Sequence, residues 1–223
     1  MITVHHLNNS RSQRVLWLLE ELGLQYEIKK YMRHEQTMRA PADLKAVHPL
    51  GKSPVITDGD ITVAETGAII EYIIDTYGEK LRLTAGTEDA RRYTYWLHFA
   101  EGSMMSPLLL KLVMERIATS PVPFFVKPIT KMIANKANTD FVDPEIANLL
   151  NYIESELASR DWFAGNHFSG ADIAMSFPLE AMRGRAGLDA SYVKIHAYLD
   201  KIHARPAYMA ALERGGEYTI LGS

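Results

Sequence analysis

Three short stretches of the chain combine residue types that can hold an anion. The first is Asn8-Asn9-Ser10-Arg11-Ser12, between a β-favouring run and a helical run. A helix N-terminus leaves N–H groups without partners and carries partial positive charge, so an anion is stabilised there. The hydroxyls of Ser10 and Ser12 and the amide of Asn9 add donors at the same place. Taken alone, the turn reads as a helix N-cap. The second stretch is His48-Pro49-Leu50-Gly51-Lys52-Ser53-Pro54. A cis peptide is cheap only before proline, although an ordinary trans turn is the plain reading there. Lys52 is a point charge for a carboxylate or a solvated side chain. The third is Glu65-Thr66, where another helical run opens. A hydroxyl and free N–H groups suit a carboxylate there, or simply cap the helix.

The chain has no cysteine. It therefore has no thiol nucleophile, disulfide or thiolate metal site of its own, and any thiol chemistry uses a sulfur brought by a ligand. The eight histidines are scattered without zinc-ligand spacing, so no metal site is expected. No phosphate-binding glycine loop, Gly-x-Ser-x-Gly elbow or dinucleotide fingerprint is present. A formal net charge of −3 favours neither nucleic acid nor an anionic membrane as partner. Apolar runs such as Pro107–Met114 are far too short to span a bilayer. The first residues show no secretory pattern, which makes the cytoplasm the expected location.

These stretches must be positioned by elements. Thr3–Leu7 and Tyr26–Tyr31 read as strands, and Val15, Leu18, Leu19 and Leu22 recur at helical spacing until Gly23. Pro41–Val47 reads as a short helix. Val55–Thr57 and Ile61–Ala64 read as a hairpin about Asp58-Gly59-Asp60, and Thr66–Tyr77 as a helix. After residue 79 the strand signals end. Residues 80–88 read as a linker, and 89–223 as helices only: Ala90–Val113 as one long helix, then Pro123–Ala137, Pro144–Ser159, Ala171–Arg185, Ser191–Ala204 and Pro206–Arg214. Ser169 and Asp172, three apart, have the form of a capping box with Asp for the commoner Glu. The fold class is α/β followed by all-α, in two domains.

The order βαβαββα with an X-Pro before the third strand resembles a thioredoxin fold. With the helical continuation, the chain resembles the cytosolic glutathione S-transferase superfamily over residues 1–212. The resemblance is carried by Asn8–Ser12 with Arg14–Glu21, by His48–Pro54, by Glu65-Thr66-Gly67-Ala68-Ile69 and by Ser169–Ala174. The first stretch is most similar to a bacterial and fungal branch that shares the Ser-Arg-Ser segment.

The resemblance implies that residues 1–79 bind glutathione as co-substrate. Ser10 would donate a hydrogen bond to its sulfur, with Asn9 and Ser12 as rivals. Arg11 would assist the thiolate or face solvent. Lys52 would reach the glycyl carboxylate, the backbone of Ser53 before a cis Pro54 would pair with the cysteinyl part, and Glu65 and Thr66 would take the γ-glutamyl ammonium and carboxylate. Thr66 replaces the family's usual serine and keeps the donor. Met104, Met105 and Leu108 would line the pocket of a small hydrophobic electrophile or pack the core. Glu101 would reach the glutathione of a second subunit in a homodimer. The implied activity is thiol activation for attack on the electrophile. Glutathione-dependent peroxidase or disulfide reductase activity is the alternative, and a non-catalytic ligand-binding or interaction module the second.

Overall fold

A computed structural model describes the chain except Glu35, Gln36, Met38, Ala186, Glu217, Gly222 and Ser223, and except the side chains of Arg185 and Leu221. Strand β1 (Ile2–Leu7) pairs in parallel with β2 (Tyr26–Tyr31) through the crossover helix α1 (Ser12–Leu22). After the short α2 (Ala42–Val47), β3 (Val55–Asp58) joins the other edge of β1 in antiparallel register, with His5 opposite Val55. Strand β4 (Ile61–Ala64) closes the hairpin, and the sheet order is β2-β1-β3-β4. Gly59 supplies the left-handed turn residue at φ +57°. Helix α3 (Thr66–Tyr77) follows.

Helices then take over: α4 (Glu88–Phe99), α5 (Met105–Ala118), α6 (Lys127–Ala137), α7 (Asp143–Ser159), α8 (Gly170–Arg185), α9 (Val193–His203) and α10 (Pro206–Gly215). The single helix expected over Ala90–Val113 is divided. A π-helical turn, Ala100–Met104, separates α4 from α5 and contains the weak helix formers Gly102 and Ser103. Another π-turn, Asn138–Val142, joins α6 to α7. Helix α6 begins at Lys127 rather than Pro123, with Pro128 in its first turn. Among the described residues no helix is long and apolar enough to cross a membrane.

The core lies where the two kinds of structure meet. Helix α1 is buried all round from Ser12 to Leu19, with Val15, Leu16, Trp17, Leu18 and Leu19 fully enclosed, as are Ile69, Ile70 and Ile73 of α3. Helices α8 and α10 pack onto α1, and α8 also packs onto α3. The approach of α8 is close enough that a Cβ on Gly170 would sit 2.6 Å from Ile70 Cγ2. Arg205 clamps α1 from the far side with two bonds to Glu21, at 2.5 and 2.8 Å. The Ser169–Asp172 pair forms as expected. Asp172 Oδ2 accepts from Ser169 N at 2.8 Å, and Ser169 Oγ accepts from Ala171 N at 3.3 Å. Asp172 Oδ1 also accepts from Phe163 N at 3.0 Å and Tyr198 Oη at 3.2 Å, so the cap ties three segments together. Burial raises the Asp172 carboxyl to about 6, against these bonds.

Candidate functional site

The start of α1 is not capped as the sequence suggests. Arg11 occupies the cap position and its own side chain caps nothing, while Ser10 Oγ, one residue earlier, accepts from the backbone N–H of Ser12 at 3.3 Å. The Ser10 hydroxyl also shares hydrogen bonds with Ser12 Oγ at 2.7 Å and Ser53 Oγ at 3.2 Å. Ser53 Oγ donates onward to the carbonyl of His5 at 3.2 Å, and Ser12 Oγ bonds His6 Nδ1 at 2.9 Å. Strand β1 and the turn that carries Ser53 thus fix the hydroxyls at the α1 entrance. Burial, helped by Lys30 and opposed by the Gly215 backbone, lowers His6 to about 4, so it is a neutral hydrogen-bonding partner near pH 7. The Ser53-Pro54 bond is cis.

A cavity of about 730 Å³ opens at this place. Asn9, Ser10, Arg11, Lys52 and Ser53 line one end. Met105, Leu108, Leu109 and Leu112 of α5 line the other, and Phe177 of α8 also lines the cavity with its ring 5.7 Å from the Arg11 guanidinium. Among the described residues the cavity lining carries Arg33, Arg39, Lys45, Lys52 and Lys111 against one carboxylate, Glu115. That imbalance favours an anionic ligand. Lys111 is partly compensated by Asp143 at 2.5 Å. Arg33 holds the Asn8-Asn9 turn: its backbone N–H donates to Asn8 Oδ1 at 2.9 Å and its Nε to Asn8 O at 3.2 Å.

Behind the polar end stands a buried ion cluster. Arg14, only 1 % exposed, donates to Glu101 Oε1 at 2.6 Å and to Thr66 Oγ1 at 3.3 Å. Arg11 reaches Glu101 Oε2 at 3.2 Å. Burial by itself would raise the Glu101 carboxyl, but Arg14 and Arg11 outweigh it and hold it below the usual carboxylate range. Thr66 is buried at the first turn of α3, and Glu65 precedes it, exposed, at φ +71°. A non-glycine residue at that φ is strained, and such strain concentrates at binding sites.

Comparison with known proteins interprets this geometry. Residues 1–75 match the glutathione S-transferase N-terminal domain, and residues 113–206 the glutathione S-transferase C-terminal domain. The chain is similar to glutathione S-transferase 3 of Schizosaccharomyces pombe, at 34% identity over 99% of this chain and 90% of the relative. The chain belongs to the glutathione S-transferase family. A solved glutathione S-transferase from Actinobacillus pleuropneumoniae has the same fold, with a TM-score of 0.81, 36% identity, and coverage of 100% of this chain and 95% of that one. A sphingomonad glutathione S-transferase, solved in complex with glutathione, matches with a TM-score of 0.72 at 27% identity, covering 96% of this chain and 98% of that one.

Against the pattern expected of this family, the structure brings Asn9, Ser10, Arg11, Lys52 and Ser53 together on the cavity wall. Ser12 is fully buried behind Ser10, with its hydroxyl engaged by His6. Glu65 and Thr66 are not on that wall; Thr66 connects to it through Arg14, Glu101 and Arg11. Met105 and Leu108 line the apolar end. Met104 differs from expectation: it is fully buried in the core, because the π-turn rotates it away from the cavity face of α5. Glu101 has both carboxylate oxygens bound by arginines of its own chain. Sequence reasoning missed Arg14, Leu109, Leu112 and Phe177. The spacing Met105, Leu108, Leu109, Leu112 is one helical face and was available as a signal; Phe177 carries none.

Proposed function

We propose that the chain is a glutathione transferase that binds the tripeptide at the polar end of the cavity and a hydrophobic electrophile at the apolar end. The observation that carries this reading is the Ser10 hydroxyl, held on the cavity wall at the start of α1 in a chain with no thiol of its own. A free thiol with a pKa near 8.5 is mostly protonated at neutral pH. A hydroxyl donor at a helix N-terminus favours its anion. Ser10 Oγ gives its hydrogen to the sulfur while the backbone N–H of Ser12 donates to the oxygen at 3.3 Å and holds it in place. Asn9 is the second donor within the same turn. Ser12 is the weaker rival, since His6 occupies it.

Lys52, with Arg39 and Lys45 beside it on the rim, suits the glycyl carboxylate, and the Glu65-Thr66 step suits the γ-glutamyl end. The thiolate then attacks the electrophile against the α5 face. The protein contributes pKa depression and positioning. We place the division of the chain at 80–88, and read the protein as a cytoplasmic homodimer on the habit of its family.

Ser10→Ala raises the pKa of the bound glutathione thiol, read from thiolate absorbance against pH. An unmoved pKa removes Ser10 from the role. Assaying peroxide and disulfide substrates beside a chlorinated nitroaromatic separates transfer from reduction.

A further inference from the structure

Glu180 is a buried carboxylate that the thiol chemistry leaves unused. It lies on α8 between Phe177 and Ala181, both on the cavity wall, and its side chain is 1 % exposed. Donors from three other segments meet it. Tyr208 Oη of α10 donates at 2.7 Å, Tyr218 Oη of the C-terminal segment at 2.8 Å, and His203 Nε2 of α9 lies at 3.2 Å. A buried carboxylate is costly unless donors replace its water. Hydrogen bonds to it are therefore stronger than those of neutral surface groups.

Of these donors, Tyr218 lies closest along the chain to residues that act at the cavity. Thr219 N–H donates to Asn9 Oδ1 at 2.8 Å, and Ile220, nearly buried, forms part of the cavity wall. A backbone N–H can only donate, so this contact orients the Asn9 amide: its oxygen faces the tail and its NH2 group is left available. Asn9 itself sits at φ +50°, immediately before Ser10.

We infer that Glu180 and Tyr218 are positioning residues for the reaction. The buried carboxylate clamps the C-terminal segment, which sets the Asn9 amide at the α1 entrance and seats Ile220 as a wall of the acceptor pocket. This rests on reading the cavity as a glutathione site.

Tyr218→Phe removes one hydroxyl and leaves Tyr208 and His203 on the carboxylate. Its Thr219 amide is expected to exchange with solvent deuterium at least about tenfold faster than in the wild type, as local opening becomes easier. The bound glutathione thiol is expected to titrate at higher pH. The ratio of kcat/KM for 4-phenylbut-3-en-2-one to that for 1-chloro-2,4-dinitrobenzene is expected to shift by about threefold or more, which one hydrophobic contact can supply. Ile220→Ala should shift that ratio and leave the thiol pKa in place. Wild-type exchange at Thr219 in Tyr218→Phe overturns the proposal. So does faster exchange with neither the thiol pKa nor the acceptor ratio moved, because Glu180 would then be a structural anchor only. The exchange measurement needs no ligand. Absence of glutathione binding by wild-type protein in calorimetry counts against the cavity assignment instead, and is read separately.

Discussion

The two ends of the cavity are built on different principles. At the α1 end, hydroxyls of Ser10, Ser12 and Ser53 are locked to one another and to strand β1 over bonds of 2.7 to 3.2 Å. Behind them a buried arginine joins α1 to α3, the π-turn and α8. At the α5 end, Met105, Leu108, Leu109 and Leu112 present one face of a helix, and Leu109 is 59 % exposed. The first end is polar, fixed and suited to one ligand. The second is apolar and adaptable, with a methionine that fits irregular shapes. A transferase that joins one constant thiol to varied electrophiles needs this asymmetry, because directional donors discriminate sharply and apolar walls weakly.

The largest effect tests whether the polar end is held from behind. Arg14→Ala leaves Glu101 without its shortest ion pair and should lower stability by about 3 kcal/mol, read as a shift of the urea midpoint. A loss below about 1 kcal/mol would show that the ion cluster does not hold that end. Ser10→Ala should lower kcat/KM about 100-fold, as expected for a donor to developing charge. A loss shared equally with Leu109→Ala would erase the distinction between the ends.

The pH dependence of folding sharpens the contrast from the helical side. Burial raises the Asp172 carboxyl from 3.8 to about 6, so the folded chain binds its proton more tightly than the unfolded chain. The stability this group contributes is complete below about pH 4 and is lost as pH rises through about 6. Asp172→Asn should flatten that part of the stability profile in denaturant titrations. A wild-type profile already flat from pH 4 to 6 would contradict the raised value. The smallest expected change lies at the adaptable end. Leu109→Ala or Leu112→Ala should raise the KM for a hydrophobic electrophile about threefold and leave that for glutathione unchanged, because each removes only partly buried apolar area.

Much of this was legible in the chain by itself. Periodicity and turn residues marked every strand, the α1 and α3 helices and the shift to helices after residue 79, because local propensity and tertiary structure agree there. The Asn8–Ser12, Lys52–Pro54, Glu65-Thr66 and Ser169–Asp172 stretches stood out because each pattern lies within a short run of neighbours. Only the tertiary structure decided which hydroxyl faces the cavity. Ser10 and Ser12 are two residues apart, and it is His6, from the preceding strand, that engages Ser12 and leaves Ser10 on the wall. It also decided that Met104 is core while Met105 is cavity, since a π-turn shifts the helical phase in a way no fixed period records. And it brought Glu180 to Tyr218 and Thr219 to Asn9, 38 and 210 residues apart in the chain. Contacts over such separations depend on how elements pack, and packing leaves no pattern within a local window of sequence.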